Sequence, residues 1–259
     1  MRVIGVIDLL NGRAVRACAG RRDCYPPIGD PVVLARRYVE RYRLTELYVA
    51  DLDAIESSNG GPERPAPRVA RPSQGPRVAR PFQGRDEDRD QDDAIRRIAQ
   101  LGVPLWFDAG VSSVERARQA LDLGASRVIV GLETLPSFHA LRSICSAIDG
   151  RLVAFSLDLW SGEPIAGRAI PHEAPEQLVA RAADAGARSV IVLDLARVGT
   201  RAGVDFELLG RIRKAAPGMA MFAGGGVRGP ADLEKLAELG CDGALVATAL
   251  DALYPSVTR

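Results

Sequence analysis

Two aspartates stand far apart in the chain inside the same short motif. Val6-Ile7-Asp8-Leu9-Leu10-Asn11-Gly12 and Ser156-Leu157-Asp158-Leu159-Trp160-Ser161-Gly162 share Asp, Leu and Gly at matching positions. Each Asp ends a short apolar run and a Gly follows, the pattern of a strand running into a turn. Carboxyl groups facing one another across a pocket can act as general base and general acid on opposite ends of one substrate. A lone strand-end Asp more often caps the next loop; repetition in a matched motif is what argues for chemistry. A second signal is Phe222-Ala223-Gly224-Gly225-Gly226-Val227, which leads from an apolar run towards a helix. Glycines there let backbone N–H groups approach an anion closely, and a helix N-terminus adds a favourable partial charge. The plainer alternative is a tight strand-to-helix turn.

The elements that must position these residues alternate regularly. Apolar runs at 3–8, 47–52, 105–109, 127–131, 152–157, 189–194, 219–223 and 244–247 read as strands. Helical periodicity fills 31–42, 92–101, 113–123, 136–148, 175–185, 206–216 and 230–239. Asp30-Pro31 is an N-cap followed by proline at the first helical position, and Gly102, Gly124, Gly186 and Gly240 each sit just past a helix end. Eight strands alternating with helices predict an α/β fold, a single (β/α)8 TIM barrel over 1–259, with its active site in the loops at the carboxyl ends of the strands. The halves also repeat. Residues 108–133 align with 224–249 at a constant offset of 116, and Asp51 in YVADLD matches Asp194 in IVLDLA. Such a half-barrel repeat gives pseudo-twofold symmetry and puts Asp8 and Asp158 on opposite sides of one mouth.

One stretch breaks the alternation. Residues 57–89 hold six of the 17 prolines and seven arginines, and PRVARPSQG (67–75) is repeated at once as PRVARPFQG (76–84). So little apolar area cannot offset the ordering entropy, which predicts a long disordered loop after the second strand. It reads as a duplication tolerated at a loop tip or as an arm for a partner. The remaining composition is that of a globular protein with a substantial core: 47% of the 259 residues are hydrophobic and 26% charged. A net charge of +1 gives no global field to draw in nucleic acid or an anionic membrane. No apolar run reaches the ~18 residues of a membrane span, and Asp8 interrupts what could have been a signal-peptide core. Cys18, Cys24, Cys145 and Cys241 form no CxxC, and His139 and His172 lie in no ligand-like cluster. No metal site is therefore expected, and the default location is a reducing cytoplasm.

VIDLLNGRAVR (6–16), YVADLDA (48–54), FDAGV (107–111), IVGLET (129–134), SLDL (156–159), LDLARVGT (193–200) and AGGGV (223–227), taken in this order, resemble the histidine-biosynthesis barrel family. That family holds the isomerase acting on phosphoribosylformimino-aminoimidazole-carboxamide ribotide and the cyclase subunit of imidazole glycerol phosphate synthase. The resemblance spans nearly the whole chain outside 57–89, and the opening motif is closer to the isomerase. It implies an Amadori rearrangement, aldose to ketose, without metal or organic cofactor. In it Asp8 would be the base at the sugar carbon next to the imine and Asp158 the acid that helps open the ribose ring. Thr200 would supply a hydroxyl after the sixth strand, and Gly224, Gly225 and Gly226 would hold a phosphate. Substrate contacts are expected from Arg16, Asp51, Asp108, Gly110, Trp160, Asp194, Arg197 and Gly199, with Trp160 stacking on a ring. The residues themselves leave Asp51 and Asp53 open to capping and Arg197 open to a strand-end ion pair, and Trp106 reads as core.

Four positions depart from the family pattern. Asp108 stands in place of a small residue, Leu132 in place of a hydroxyl with Glu133 beside it, Val198 in place of an acid and Ala247 in place of a glycine. A carboxylate ~4 Å from a phosphate charge costs on the order of 1 kcal/mol in water and several at an effective dielectric of ~20. One phosphate site is therefore expected to remain and the other to be altered. The partners expected are a small phosphorylated substrate, no nucleic acid and no membrane, with the chain a monomer or small homo-oligomer. Two further readings stand beside the isomerase. One is a paralogous barrel enzyme of tetrahydromethanopterin-linked one-carbon metabolism acting on a different mono-phosphorylated substrate. The other is a non-catalytic barrel subunit that binds a partner protein.

Overall fold

The computed structural model describes residues 1–21, 24–58, 87–167 and 169–254. Eight parallel strands follow the apolar runs: β1 (Arg2–Leu10), β2 (Leu47–Asp51), β3 (Leu105–Asp108), β4 (Arg127–Gly131), β5 (Val153–Trp160), β6 (Ser189–Asp194), β7 (Ala220–Gly224) and β8 (Gly243–Val246). Each pairs with the next in chain order, and β1 pairs with β8 from Arg2↔Gly243 to Gly5↔Val246, so the sheet closes on itself. Helices α1 (Pro31–Arg41), α2 (Leu52–Ser58), α3 (Glu87–Ala99), α4 (Val114–Asp122), α5 (Phe138–Ile148), α6 (Pro175–Asp184), α7 (Phe206–Ala215), α8 (Pro230–Glu238) and α9 (Leu250–Leu253) connect and coat the strands. The fold is the (β/α)8 barrel that the alternation predicts. Both faces of the sheet are covered, which is why the strands read as continuous apolar runs instead of alternating ones.

The core has two zones. Outside the sheet, residues such as Ile7, Leu9, Val49, Phe107, Val130 and Leu157 meet the helices. Inside it, Ile4, Tyr48, Trp106, Ile129, Ala154, Ile191, Phe222 and Leu245 fill the barrel. At the amino end of the strands the Trp106 and Phe222 rings meet edge to face at 4.7 Å. Arg127 lies over Trp106 and Arg2 over Phe222, and the Trp106 Nε1–H donates to Glu46. This polar-tipped aromatic plug closes one end of the barrel and leaves the carboxyl ends of the strands as the open mouth.

Helix punctuation matches the sequence. Asp30 Oδ1 accepts from the backbone N–H groups of Val32 and Val33, with Pro31 in the first turn. Gly102, Gly124, Gly186 and Gly240 all have positive φ, the left-handed conformation that ends a helix without a Cβ penalty. Other boundaries differ. β1 and β5 run two or three residues beyond their expected ends because each continues into an antiparallel hairpin. Arg13–Val15 pairs back onto β1 through Asp8↔Val15, and Glu163–Pro164 onto β5 through Trp160↔Glu163. The turns between them, Asn11-Gly12 and Ser161-Gly162, have positive φ at both residues, the geometry that two-residue hairpins favour. A third short strand, Pro27–Gly29, extends the first hairpin.

The segment set aside as an insertion, 57–89, is helical at both margins: 57–58 end α2, and α3 starts at Glu87. The expected disorder of its centre falls on 59–86, outside the described residues. Among the described residues, no helix is long and apolar enough to cross a membrane.

Candidate active site

Side chains alternate along a strand, so in β1 and β5 the inward set that includes Ile4 and Ala154 ends in Asp8 and Asp158. β1 and β5 lie four strands apart in either direction round an eight-stranded ring, which sets these aspartates across the mouth from each other. Both line one cavity of about 160 Å³ at the carboxyl ends of the strands. The floor of the cavity carries Val6, Tyr48, Ala50, Leu193 and Leu245, and its rim carries Arg16, Gly20, Glu133, Gly199, Gly225, Gly226 and Thr248.

Asp158 is buried, with Oδ1 accepting from the Ser156 hydroxyl at 2.7 Å and Oδ2 from the Glu133 backbone N–H at 3.2 Å. Burial, then the Glu133 and Asp108 carboxylates, push its carboxyl up to about 8, and the two hydrogen bonds only partly oppose this. The group therefore holds a proton at neutral pH. Asp8 is half-buried and faces the same space. Asp108 is buried, with Oδ1 accepting from the Gly110 N–H at 3.1 Å and Oδ2 from the Tyr48 hydroxyl at 3.2 Å. Burial raises the Tyr48 phenol far above its usual range, and Asp108, Asp158 and Asp8 raise it further. Three carboxyl groups thus surround one phenol that stays protonated. Burial followed by Asp8 likewise raises Tyr38, which lines the cavity from α1.

Some predicted residues lie one layer out. Asp51 accepts from the Ala54 N–H at 2.8 Å and so caps α2, and burial raises its carboxyl. Asp194 caps the short turn after β6 through the Ala196 N–H, accepts from the Ser161 N–H and pairs with Arg197 at 3.1 Å. Arg197 also donates to the Gly203 carbonyl, so of its two readings the strand-end ion pair is the one the structure displays. Thr200 is exposed; its hydroxyl donates to the Arg197 carbonyl and accepts from the Ala202 N–H, and it does not line the cavity. Gly110 packs on α2, its carbonyl accepting from Ser58, and Gly224 sits inside β7 against Leu193. Trp160 lies behind the rim, where its ring meets Gly20 so closely that a Cβ on Gly20 would come within 2.6 Å of it. Arg16, Asp108, Gly199, Gly225 and Gly226 do line the cavity with Asp8 and Asp158.

Local packing shows why glycines stand after β7. Gly225 has φ +85°, and a Cβ there would lie 2.5 Å from the Asp194 carbonyl oxygen. Gly226 has φ +90° and is crowded by the Gly203 carbonyl. The tight turn itself requires glycine at both positions.

Tyr48 and Thr248 were missed from the sequence. Tyr48 sits in an apolar strand, and only its inward parity with Ala50 marks it. Thr248 had a usable signal: the half-barrel offset pairs it with Leu132. Exposed His139 and His172 lie away from the cavity, and among the described residues no cluster of His, Cys, Asp and Glu is arranged to hold a metal ion.

Comparison with known proteins agrees with this architecture. The family model described as "Histidine biosynthesis protein" matches residues 2–70 and 83–255. A Thermus thermophilus protein named 1-(5-phosphoribosyl)-5-((5-phosphoribosylamino)methylideneamino) imidazole-4-carboxamide isomerase is 33% identical over 254 residues, covering 96% of this chain and 94% of the relative. A Synechococcus protein of the same name is 32% identical over 255 residues, covering 96% of this chain and 85% of its own. The chain belongs to the histidine biosynthesis protein family.

Proposed function

We propose that the protein is an aldose–ketose isomerase of the Amadori type, acting on a phosphoribosylamine-like substrate of histidine-biosynthesis-type chemistry. The observation that carries this reading is the pair Asp8 and Asp158 on opposite strands of one cavity, with Asp158 protonated at neutral pH. The names of the relatives support the same reaction class.

The chemistry starts from the proton held by Asp158 and assigns Asp8 the role of base. Asp158 delivers its proton to the ring oxygen of the aminosugar as the C1–O bond breaks, and the amine nitrogen supplies the electron pair that forms the iminium ion. Asp8, as carboxylate, removes the C2 proton. The C2–H electrons form the C1–C2 double bond and neutralise the nitrogen, giving an enaminol. C1 is then reprotonated, and the C2 hydroxyl proton returns to carboxylate as the ketone forms. The atoms of substrate and product are the same, so the step requires no oxidant or reductant. The Tyr48 phenol donates its one O–H to Asp108 and so holds that carboxyl group in place at the floor. Gly225 and Gly226, with Thr248, take the phosphate. Arg16 and Gly199 border the substrate from the loops after β1 and β6; Asp194, Arg197, Thr200 and Trp160 shape those loops from behind, whereas Asp51 and Gly110 hold α2.

The small substrate is the only partner the reading requires, with a monomer or small homo-oligomer as the working form. A reducing cytoplasm suits its free cysteines, of which Cys18 and Cys24 are exposed. The test is turnover: an N-substituted phosphoribosylamine incubated with the protein should yield the aminoketose, read by carbon NMR. Unchanged aminosugar after prolonged incubation with folded protein would overturn the proposal.

A further inference from the structure

The internal repeat lets the two corners of the mouth be compared residue by residue. At the offset of 116, Gly224, Gly225 and Gly226 after β7 match Asp108, Ala109 and Gly110 after β3. Thr248 and Ala249 after β8 match Leu132 and Glu133 after β4. The second-half corner lines the cavity with Gly225, Gly226 and the hydroxyl-bearing Thr248.

The first-half corner is built differently. The Gly110 N–H, counterpart of the Gly226 N–H, donates to Asp108 Oδ1 at 3.1 Å. The Glu133 N–H, counterpart of the Ala249 N–H, donates to Asp158 Oδ2 at 3.2 Å. Two backbone donors that would face an anion at this corner are thus held by carboxyl groups of the chain itself. Leu132, in the position of the Thr248 hydroxyl, is fully buried in the outer core. Thr134 lines the cavity, but its hydroxyl donates to the Gly131 carbonyl. Glu133 adds a further carboxylate at the rim.

We propose that Asp108 and Glu133 fix the substrate class: one phosphate docks at the second-half corner, and the opposite end of the substrate carries a proton-donating nitrogen group, an amine, amidine or carboxamide, in place of a second phosphate. The proposal rests on the isomerase reading for the site itself and departs from the relatives, whose printed names contain two phosphoribosyl groups. A second phosphate would have to displace an internal carboxyl group from the Gly110 or Glu133 N–H before it could use that donor. A nitrogen donor would instead meet oxygen acceptors already fixed in place.

Calorimetric titration of the intact protein with inorganic phosphate, ribose phosphate and ribulose bisphosphate tests this. One phosphate per chain is expected, with the bisphosphate bound no more tightly than the monophosphate. In the double variant Asp108→Asn with Glu133→Gln, which keeps side-chain shape and the acceptor for Gly110, the ratio of bisphosphate to monophosphate affinity should rise at least tenfold. Two phosphates per wild-type chain, a wild-type bisphosphate affinity at least tenfold above the monophosphate, or a folded double variant with an unchanged ratio would each overturn the proposal. If the double variant does not fold, the wild-type stoichiometry decides alone. Turnover of a bisphosphorylated aminosugar at least as fast as a monophosphorylated one would sink this proposal and leave the isomerase reading standing. Binding of a single phosphate without isomerisation of any phosphoribosylamine would do the reverse.

Discussion

Asp158 carries the sharpest consequences among single residues. Its carboxyl is pushed up to about 8 by burial, Glu133 and Asp108, so the acid form needed for ring opening is lost as pH rises through that value. The kcat of the wild type should therefore fall on the alkaline side with a midpoint near pH 8. Asp158→Asn should remove that limb together with about 10²–10⁴ of the rate, the usual contribution of a positioned acid. The same group weakens the fold. Its folded-state value lies above the ordinary 3.8, so folding favours the protonated form. The cost is absent below pH ~4, grows as the pH rises from 4 towards 8, and is constant above. Asp158→Asn should thus be more stable than wild type at pH 8, by on the order of a few kcal/mol and several degrees of Tm, and the gap should shrink towards pH 4. A gap that does not change with pH would refute the buried, protonated assignment. Asp8 and Asp158 were legible in the sequence because one motif occurs twice. Tyr48 was not, because an inward aromatic in a strand looks the same whether it packs a core or faces a carboxylate.

The loops after β1 and β6 act together at the level of elements. The Ala19 N–H donates to the Val198 carbonyl at 2.8 Å. Gly199 has φ +71°, and a Cβ there would fall 2.3 Å from the Ala17 carbonyl oxygen. Gly199→Ala should undock the first loop at a cost of about 1–3 kcal/mol. Limited trypsin digestion reads this directly: cleavage after exposed Arg16 and Arg21 should accelerate, and unchanged digestion would show that the contact does not hold the loop. Helix starts and stops were readable because Asp, Pro and Gly mark them by backbone chemistry. The hairpins that extend β1 and β5 were overlooked although Asn-Gly and Ser-Gly signal two-residue turns. Helix α2 was overlooked for a better reason: only Leu52 and Ile55 of its seven residues are buried, too few to show a period.

Over the whole molecule the two ends of the barrel divide the work. The open end gathers Asp8, Asp108, Asp158, Tyr48 and the glycine corner, while the other is closed by Trp106, Phe222, Arg2 and Arg127. Trp106 is 1% exposed and wedged against both Phe222 and Arg127. Trp106→Ala should cost about 3–5 kcal/mol, lowering Tm by about 10 °C, while turnover per folded molecule stays within about twofold of wild type. A large loss of kcat in fully folded variant would show that the plug and the mouth are coupled. Closure of the barrel was legible because eight strand–helix units and a half-chain repeat leave few other topologies. The asymmetry between its two corners was legible as charge, at Asp108 and Glu133. That these carboxyl groups and Asp158 take up the backbone donors needed coordinates, because hydrogen-bond partners across strands are set by register and not by local sequence.

In the proposed reaction two aspartates on opposite strands pass protons to one substrate. The most direct measurement is turnover of an N-substituted phosphoribosylamine by wild type, Asp8→Asn and Asp158→Asn in parallel, followed by NMR, with phosphate binding and circular dichroism confirming that each variant is folded. Aminoketose should form with the wild type, and at least ~100-fold more slowly with each variant. Aminoketose formed by a folded Asp8→Asn or Asp158→Asn protein at a rate within tenfold of wild type would contradict it.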